Sequence, residues 1–182
     1  MRWTLSNQLT VARIFMIPLL FCAFYLLPAP WCYYISASIF GLAAITDWLD
    51  GYLARKRAEV TAFGRFLDPV ADKLLIAVSL VLLVEAGFVS GVLAAIIIGR
   101  EILIGALREW LAEQSQVVHV SQWGKWKTAV QMIAIEALLL HEYIFSIPMH
   151  SLGVVLLWLA AVLTLWSGYK YLKAAWPKLK YE

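Results

Sequence analysis

Residues 46–73 read TDWLDGYLARKRAEVTAFGRFLDPVADK, and they gather four aspartates in a chain that is otherwise largely apolar. The pattern over the first part of this stretch favours a helix. At about 100° per residue, Asp50 lies about 60° from Asp47, with the small residues Gly51 and Ala54 on the same side. Bulky apolar residues fill the opposite side. The spacing therefore predicts one acidic, sterically open helix face.

A second pair of acids follows within the same stretch. Asp68 and Asp72 are spaced i,i+4, so they share a face of the next helix, with Gly64 one turn earlier. Crowded carboxylates repel one another and are costly in lipid, so we expect cations to hold them together. Oxygen ligands without nearby His or Cys favour Mg²⁺, Mn²⁺ or Ca²⁺, and two such ions can bind a diphosphate. Arg55 is placed to meet a phosphate.

Apolar residues make up 63% of the 182-residue chain, which excludes an ordinary soluble domain. Apolar runs of bilayer-spanning length recur along it. The predicted fold is all-α: a bundle of six transmembrane helices forming one membrane-embedded catalytic domain over residues 1–182. A short interfacial segment (1–9) precedes it and a basic tail (173–182) ends it. The predicted helices cover about residues 10–27, 31–57, 65–85, 88–113, 129–143 and 149–172, with Trp123 as an alternative start of the fifth.

The basic residues indicate how this bundle is oriented. The three turns at one end of it, at about 28–31, 85–90 and 141–150, contain no Lys or Arg, so all 15 basic residues lie towards the other end. By the positive-inside rule both termini and the aspartate cluster face the cytoplasm. We expect a multi-pass membrane protein with its aspartates on the cytoplasmic side and its basic tail against anionic membrane lipids.

The pattern of aspartates, small residues and Arg55 resembles the signature of the CDP-alcohol phosphatidyltransferases. The matching positions, at the family's fixed spacing, are Asp47, Asp50, Gly51, Ala54, Arg55, Gly64, Asp68 and Asp72. The resemblance implies a six-helix membrane fold, usually a homodimer, in which Asp47, Asp50, Asp68 and Asp72 surround two divalent ions, Mg²⁺ or Mn²⁺. It implies that Gly51, Ala54, Arg55 and Gly64 line the CDP site and that Asp72 is the catalytic base.

Other segments resemble the bacterial phosphatidylglycerophosphate synthases within that family. They include Ser6, Asn7, Thr10 and Arg13 near the amino terminus, and the stretches REI at 100–102, ALREW at 106–110 and GKWKT at 124–128. This likeness adds Asn7 and Thr10 to the CDP site, and it implies a multi-pass protein of the bacterial cytoplasmic (inner) membrane with its active site facing the cytoplasm. It implies transfer of a phosphatidyl group from CDP-diacylglycerol to sn-glycerol 3-phosphate, which gives phosphatidylglycerophosphate and CMP. Inositol phosphate or serine remains an alternative acceptor.

An acceptor that carries its own phosphate needs basic groups near the aspartates. Arg108, Lys125, Lys127 and Arg100 are the candidates, although Arg100 lies deeper in its apolar run and could instead pair with Glu101 or the aspartates. A second hypothesis is an ion or proton transporter whose acids form the pathway; the acids cluster at one end rather than stepping across the bilayer, which disfavours it. No nucleic-acid partner is implied. Glu136 inside the fifth helix needs a partner or a proton, and we assign it no function.

Overall fold

The computed structural model describes the backbone of residues 5–57, 62–113, 123–144 and 147–179. Within these ranges the side chains are described except at 5–6, 48, 50–57, 62–63, 65–66, 113, 123–125, 143–144 and 177–179. The described chain is helical apart from its turns and one short hairpin, which confirms the all-helical prediction. Its elements, in chain order, are α1 (Leu5–Leu26), α2 (Trp31–Arg57), α3 (Ala62–Glu85), α4 (Gly91–Glu113), α5 (Trp123–Leu140), β1 (Tyr143–Ile144), β2 (Ile147–Pro148) and α6 (Met149–Leu179).

The end of α5 differs from the sequence prediction. We expected helix to residue 143, but α5 ends at Leu140 and His141 has a φ of 23°, in the left-handed region where helices commonly stop. The chain then forms an antiparallel hairpin in which Ile144 pairs with Ile147. Residues 145–146 lie outside the described ranges. The hairpin turns the chain back so that α6 packs along α5.

The turn between α3 and α4 is set by Gly87. This glycine has a φ of 76°, which side-chain-bearing residues rarely adopt. The Phe88 amide donates to the Leu83 carbonyl at 2.9 Å, and the Gly87 amide donates to the Val84 carbonyl at 3.0 Å. This is the hydrogen-bond pattern of a Schellman motif, which satisfies the last carbonyls of α3 and lets α4 return antiparallel.

The core draws on all six helices. Buried apolar side chains from each helix belong to one packed cluster; one per helix is Leu20, Phe40, Leu75, Ile97, Ile135 and Leu157. The pairs α1–α2 and α5–α6 pack along each other, and α3 packs against α1, α4 and α5. A smaller apolar cluster joins α4 to α6 near their ends on the aspartate side, and it includes Ile104 and Tyr171. This packing fixes the relative positions of the helix ends that carry the polar residues.

Large apolar side chains cover much of the outside of the bundle. Phe15 is 66% exposed and Val162 is 61% exposed, and many others along the described helices are similar. Such a surface would be unfavourable in water and suits hydrocarbon. By length and composition, Asn7–Leu26 in α1 and Met149–Trp176 in α6 are apolar enough to cross a membrane. Helices α2, α3, α4 and α5 carry charged residues of the site, which lower their hydropathy.

Candidate active site at the aspartate end of the bundle

Helix α1 supplies partners to two of the predicted metal-binding aspartates. The guanidinium Nη1 of Arg13 lies 2.9 Å from Oδ1 of Asp47 on α2, and the Arg13 side chain is fully buried. One turn earlier on α1, the Thr10 hydroxyl donates a hydrogen bond to Oδ1 of Asp68 on α3. The structure thus brings the two halves of the aspartate stretch against one helix, with α1 neutralising part of their charge.

Asp72 differs from the other two described aspartates. Its Oδ1 is shielded from solvent and has no hydrogen-bond partner among the described residues. Asp72 is close enough to Asp47 and Glu101 to be repelled by them, and close enough to Arg13 and Lys127 to be attracted. A buried carboxylate oxygen without a donor is costly, so this position is one where a proton or a cation is favoured.

The residues present fit a divalent cation by their chemistry. Carboxylate oxygens are the preferred ligands of Mg²⁺ and Mn²⁺, and the unsatisfied Asp72 Oδ1 offers such a ligand beside Asp47. Among the described residues, no three of His, Cys, Asp and Glu are grouped as a complete ligand set. The side chain of Asp50, the fourth predicted ligand, lies outside the described part, although its backbone belongs to α2.

The predicted CDP-binding residues are spread over three helices that meet at this end. Asn7 and Thr10 are buried on α1, and Gly64 is buried on α3, within two turns of Asp68 and Asp72. The backbone of Gly51, Ala54 and Arg55 continues α2 beyond Asp47, and their side chains lie outside the described part. The described members of the set therefore border the aspartates.

Two of the predicted acceptor-phosphate residues meet at one acid. Oε1 of Glu101 accepts a hydrogen bond from Arg100 Nη1 at 3.1 Å, and it also pairs with Nζ of Lys127 on α5. All three side chains are largely buried. The pairing of Arg100 with Glu101, one of the alternatives raised by the sequence, is present. Two cations sharing one carboxylate leave the group with a formal charge of +1.

The other two predicted acceptor-phosphate residues, Arg108 and Lys125, have no described contact with Glu101. Arg108 is exposed, with its guanidinium carbon 5.8 Å from the centroid of the Tyr171 ring on α6, and it is close enough to Lys127 and Arg100 to repel both. The side chain of Lys125 lies outside the described part, and its backbone is in the first turn of α5. Arg108 can add to the positive potential near Lys127 but has a different immediate environment.

Three contributing residues were not predicted as part of the site. Arg13 is the one basic residue in the first apolar run, a signal that could have marked it as a buried ion-pair member. Glu101 was considered only as a partner of Arg100, and its link to Lys127 spans 26 positions. Ser167, which accepts a hydrogen bond from Arg100 Nη2 at 2.7 Å, carries no signal in the sequence because serine is common in apolar helices.

Glu136 lies apart from this site. A Cβ added to Gly41 on α2 would lie 3.4 Å from Oε1 of Glu136, so the carboxyl packs directly against the α2 backbone. Its Oε2 has no hydrogen-bond partner among the described residues, and no basic partner for it is found there. Glu136 therefore contributes to the contact between α2 and α5 rather than to the aspartate end.

Comparison with known proteins places this arrangement in a family. The sequence model of the CDP-alcohol phosphatidyltransferases matches residues 3–166. A Pseudomonas fluorescens protein named CDP-diacylglycerol–glycerol-3-phosphate 3-phosphatidyltransferase is 50% identical over 97% of this chain and 92% of its own length. Proteins of the same name from Haemophilus influenzae and Salmonella choleraesuis are 46% and 48% identical, each over 96% of this chain and 95% and 96% of their own lengths. The chain belongs to the CDP-alcohol phosphatidyltransferase family.

Proposed function

We propose that this protein is a CDP-diacylglycerol–glycerol-3-phosphate 3-phosphatidyltransferase, an enzyme of phospholipid biosynthesis. Its products are phosphatidylglycerophosphate and CMP. The observation that carries the proposal is the near full-length similarity to relatives of that name. The half-buried Asp72, whose shielded Oδ1 has no donor among the described residues, supports it. The reaction requires a carboxylate that can take the proton of the acceptor hydroxyl. Because the acceptor also carries a phosphate, it requires a cation nearby to bind that phosphate.

The reaction is a displacement at phosphorus. The acceptor hydroxyl oxygen forms a bond to the phosphorus that carries diacylglycerol, and the bond from that phosphorus to the oxygen of CMP breaks. CMP leaves with the bonding electrons, and the hydroxyl proton passes to Asp72. The unpaired Oδ1 of Asp72 supports this assignment because an acceptor hydroxyl can donate to it without displacing another donor.

Asp47, Asp50, Asp68 and Asp72 are proposed to hold two divalent cations, Mg²⁺ or Mn²⁺. When bound, such ions neutralise the diphosphate and stabilise the charge that develops on the attacking and leaving oxygens. Arg13 and Thr10 hold two of these carboxylates in place in the described structure. The proposed CDP site consists of the residues that the family resemblance indicated, namely Asn7, Thr10, Gly51, Ala54, Arg55 and Gly64.

The acceptor phosphate is proposed to bind among Arg108, Lys125, Lys127 and Arg100. The pairing of Lys127 with Glu101 supports this site, because it keeps an ammonium group buried near Asp72 and ready for an anion. Serine carries no phosphate for this cluster to bind, whereas glycerol 3-phosphate and inositol phosphate both do.

The protein is proposed to be a single domain over residues 1–182 whose six helices all cross the bacterial cytoplasmic (inner) membrane. Both termini and the active site would face the cytoplasm, since every Lys and Arg lies towards that end. A homodimer is proposed from the family resemblance, and membrane lipids would contact the exposed apolar surface of the helices.

The assignment is tested by supplying the purified protein in liposomes with CDP-diacylglycerol, Mg²⁺ and ¹⁴C-labelled acceptors in separate reactions. We expect label from glycerol 3-phosphate to enter the lipid phase, with release of an equal amount of CMP. Omission of the divalent ion should abolish transfer. If only serine or only inositol phosphate gives lipid-soluble label, that compound is the acceptor instead of glycerol 3-phosphate. If no acceptor gives label, the transferase assignment is refuted.

A further inference from the structure

Arg100 and Lys127 both pair with Glu101, but only Arg100 has a second described hydrogen bond, to helix α6. Helix α6 holds Arg100 from the side away from Glu101. Nη2 of Arg100 donates to the Ser167 hydroxyl at 2.7 Å, and that hydroxyl in turn donates to the Thr164 carbonyl at 3.0 Å. The serine proton is therefore committed to α6, which leaves its oxygen oriented to accept from Arg100.

Gly168 allows this close approach. A Cβ added to Gly168 would lie 3.1 Å from Nε of Arg100 and 3.5 Å from its Cγ. The Arg100 side chain thus lies directly on the α6 backbone, with Nε against the glycine. Together with Glu101 and Ser167, this contact fixes the guanidinium in one position.

The Lys127 ammonium group has more N–H donors than its described contact uses. It has three N–H donors, and the contact described for it is the one with Glu101. Lys127 also interacts attractively with Asp72. An anion that arrives between α5 and Asp72 can therefore accept hydrogen bonds from Lys127 while the lysine remains paired with Glu101.

We propose that Glu101 and the Ser167–Gly168 step of α6 are positioning residues for the acceptor-phosphate site: the α6 step anchors Arg100, and Glu101 joins Arg100 to Lys127. Arg100, anchored on α6, holds the Glu101 carboxylate, and that carboxylate holds the Lys127 ammonium near Asp72. The inference rests on the proposed function because it requires an acceptor that carries a phosphate.

The test uses Gly168→Ala in the purified protein, with Gly99→Ala as its matched control. Both changes add one methyl group to a helical glycine, but nothing lies within 4 Å of the Cβ added at Gly99. Losing one well-placed charged hydrogen bond should raise KM for glycerol 3-phosphate and the inhibition constant of inorganic phosphate about tenfold each in Gly168→Ala. We expect KM for CDP-diacylglycerol to change less than about twofold, because its site lies on other helices.

A merely structural role would alter both KM values or only kcat, and either pattern in Gly168→Ala would overturn the inference. Two further variants keep the test decisive if that protein does not fold. Glu101→Gln, compared with Glu109→Gln at an exposed position of the same helix, should show the same selective split. Ser167→Ala should show it at about threefold, as expected for one hydrogen bond. Wild-type protein that transfers no label refutes the proposed function; active variants without the split refute this inference alone.

Discussion

The two ends of the bundle treat their acids in opposite ways. In the turns away from the aspartates, two described acids have a phenol as a partner: the Tyr25 hydroxyl donates to Glu85, and the Tyr34 hydroxyl donates to Glu142. At the aspartate end, Asp72 keeps an oxygen without a donor, and Glu101 is shared by two cations. Glu85 and Glu142 thus have hydrogen-bond donors within the chain, whereas the aspartate end keeps a carboxylate oxygen that can still bind a proton or a cation.

The residues around the acids also differ between the two ends of the bundle. Aromatic rings fill the turns around Glu142, where Phe88 stacks on His141 with centroids 4.8 Å apart and Tyr33 lies edge-on to His141 at 4.5 Å. No Lys or Arg lies in those turns. The aromatic end therefore joins helices through neutral contacts, whereas the aspartate end concentrates charge of both signs. The contrast suggests that the first serves stability and the second serves chemistry.

The substitution expected to have the largest effect is Asp72→Asn, at the aspartate end. The amide keeps the shape of the carboxyl but cannot take a proton from the acceptor, so phosphatidyl transfer should fall by roughly 10²–10⁴-fold. Release of CMP measures the loss, and CDP binding should partly survive. Glu85→Gln is the control at the other end, and we expect its activity to stay within about twofold of wild type. Full activity in Asp72→Asn would contradict the assignment of the base.

Arg13→Met tests the ion pair that α1 makes with Asp47. The buried guanidinium compensates a carboxylate that is 39% exposed, so its loss should lower stability by about 2 kcal/mol, between the values for exposed and buried pairs. Thermal unfolding in detergent with EDTA measures this. Added Mg²⁺ or Mn²⁺ should recover more of the unfolding temperature in Arg13→Met than in wild type. An equal response of the two proteins to the metal would show that Arg13 does not substitute for a cation.

Tyr25→Phe tests the aromatic end. Removing the hydroxyl leaves Glu85 without this donor at an exposed position, where water can replace it, so the unfolding temperature should fall only slightly, while transfer activity remains within about twofold. Thermal unfolding and the label assay on the same preparation measure both quantities. A large loss of activity without a loss of stability would show that Tyr25 takes part in the reaction, which contradicts the assignment of the active site to the aspartate end.

Glu136→Gln should have the smallest effect. The carboxyl packs against Gly41 and leaves Oε2 without a described partner, so an uncharged side chain of equal size should fit equally well. We expect unchanged activity and a stability equal to or slightly above that of wild type. A loss of transfer in this variant would give Glu136 a role that the structure does not indicate.

Much of the fold follows from the sequence because lipid restricts the alternatives. The apolar runs and the placement of Lys and Arg predicted helices close to those observed, and the spacing of Asp47, Asp68 and Asp72 predicted their shared end. The partners of these residues could not be predicted. The contacts of Arg13 with Asp47 and of Arg100 with Ser167 depend on how each helix is rotated and tilted against its neighbours. That geometry is set by packing of the core.

The hairpin at 143–148 escaped prediction for a different reason. Its strands are two residues each and apolar, so they cannot be separated from a helix end by periodicity. The stop comes from the left-handed backbone of His141. Histidine adopts a positive φ more often than most residues, but still too seldom for one histidine to mark a helix end in the sequence.

The central claim is that the aspartate end carries out phosphatidyl transfer, and one measurement tests it most directly. Wild type and Asp72→Asn are incubated in liposomes with CDP-diacylglycerol, Mg²⁺ and glycerol 3-phosphate labelled with ¹⁸O in its free hydroxyl groups, and the products are analysed by mass spectrometry. We expect wild type to yield unlabelled CMP and a phosphatidyl product that retains the ¹⁸O between glycerol and phosphorus, and Asp72→Asn to yield both at a rate lower by roughly 10²–10⁴-fold. Phosphatidic acid with a CMP-linked acceptor, or equal turnover by both proteins, would contradict it.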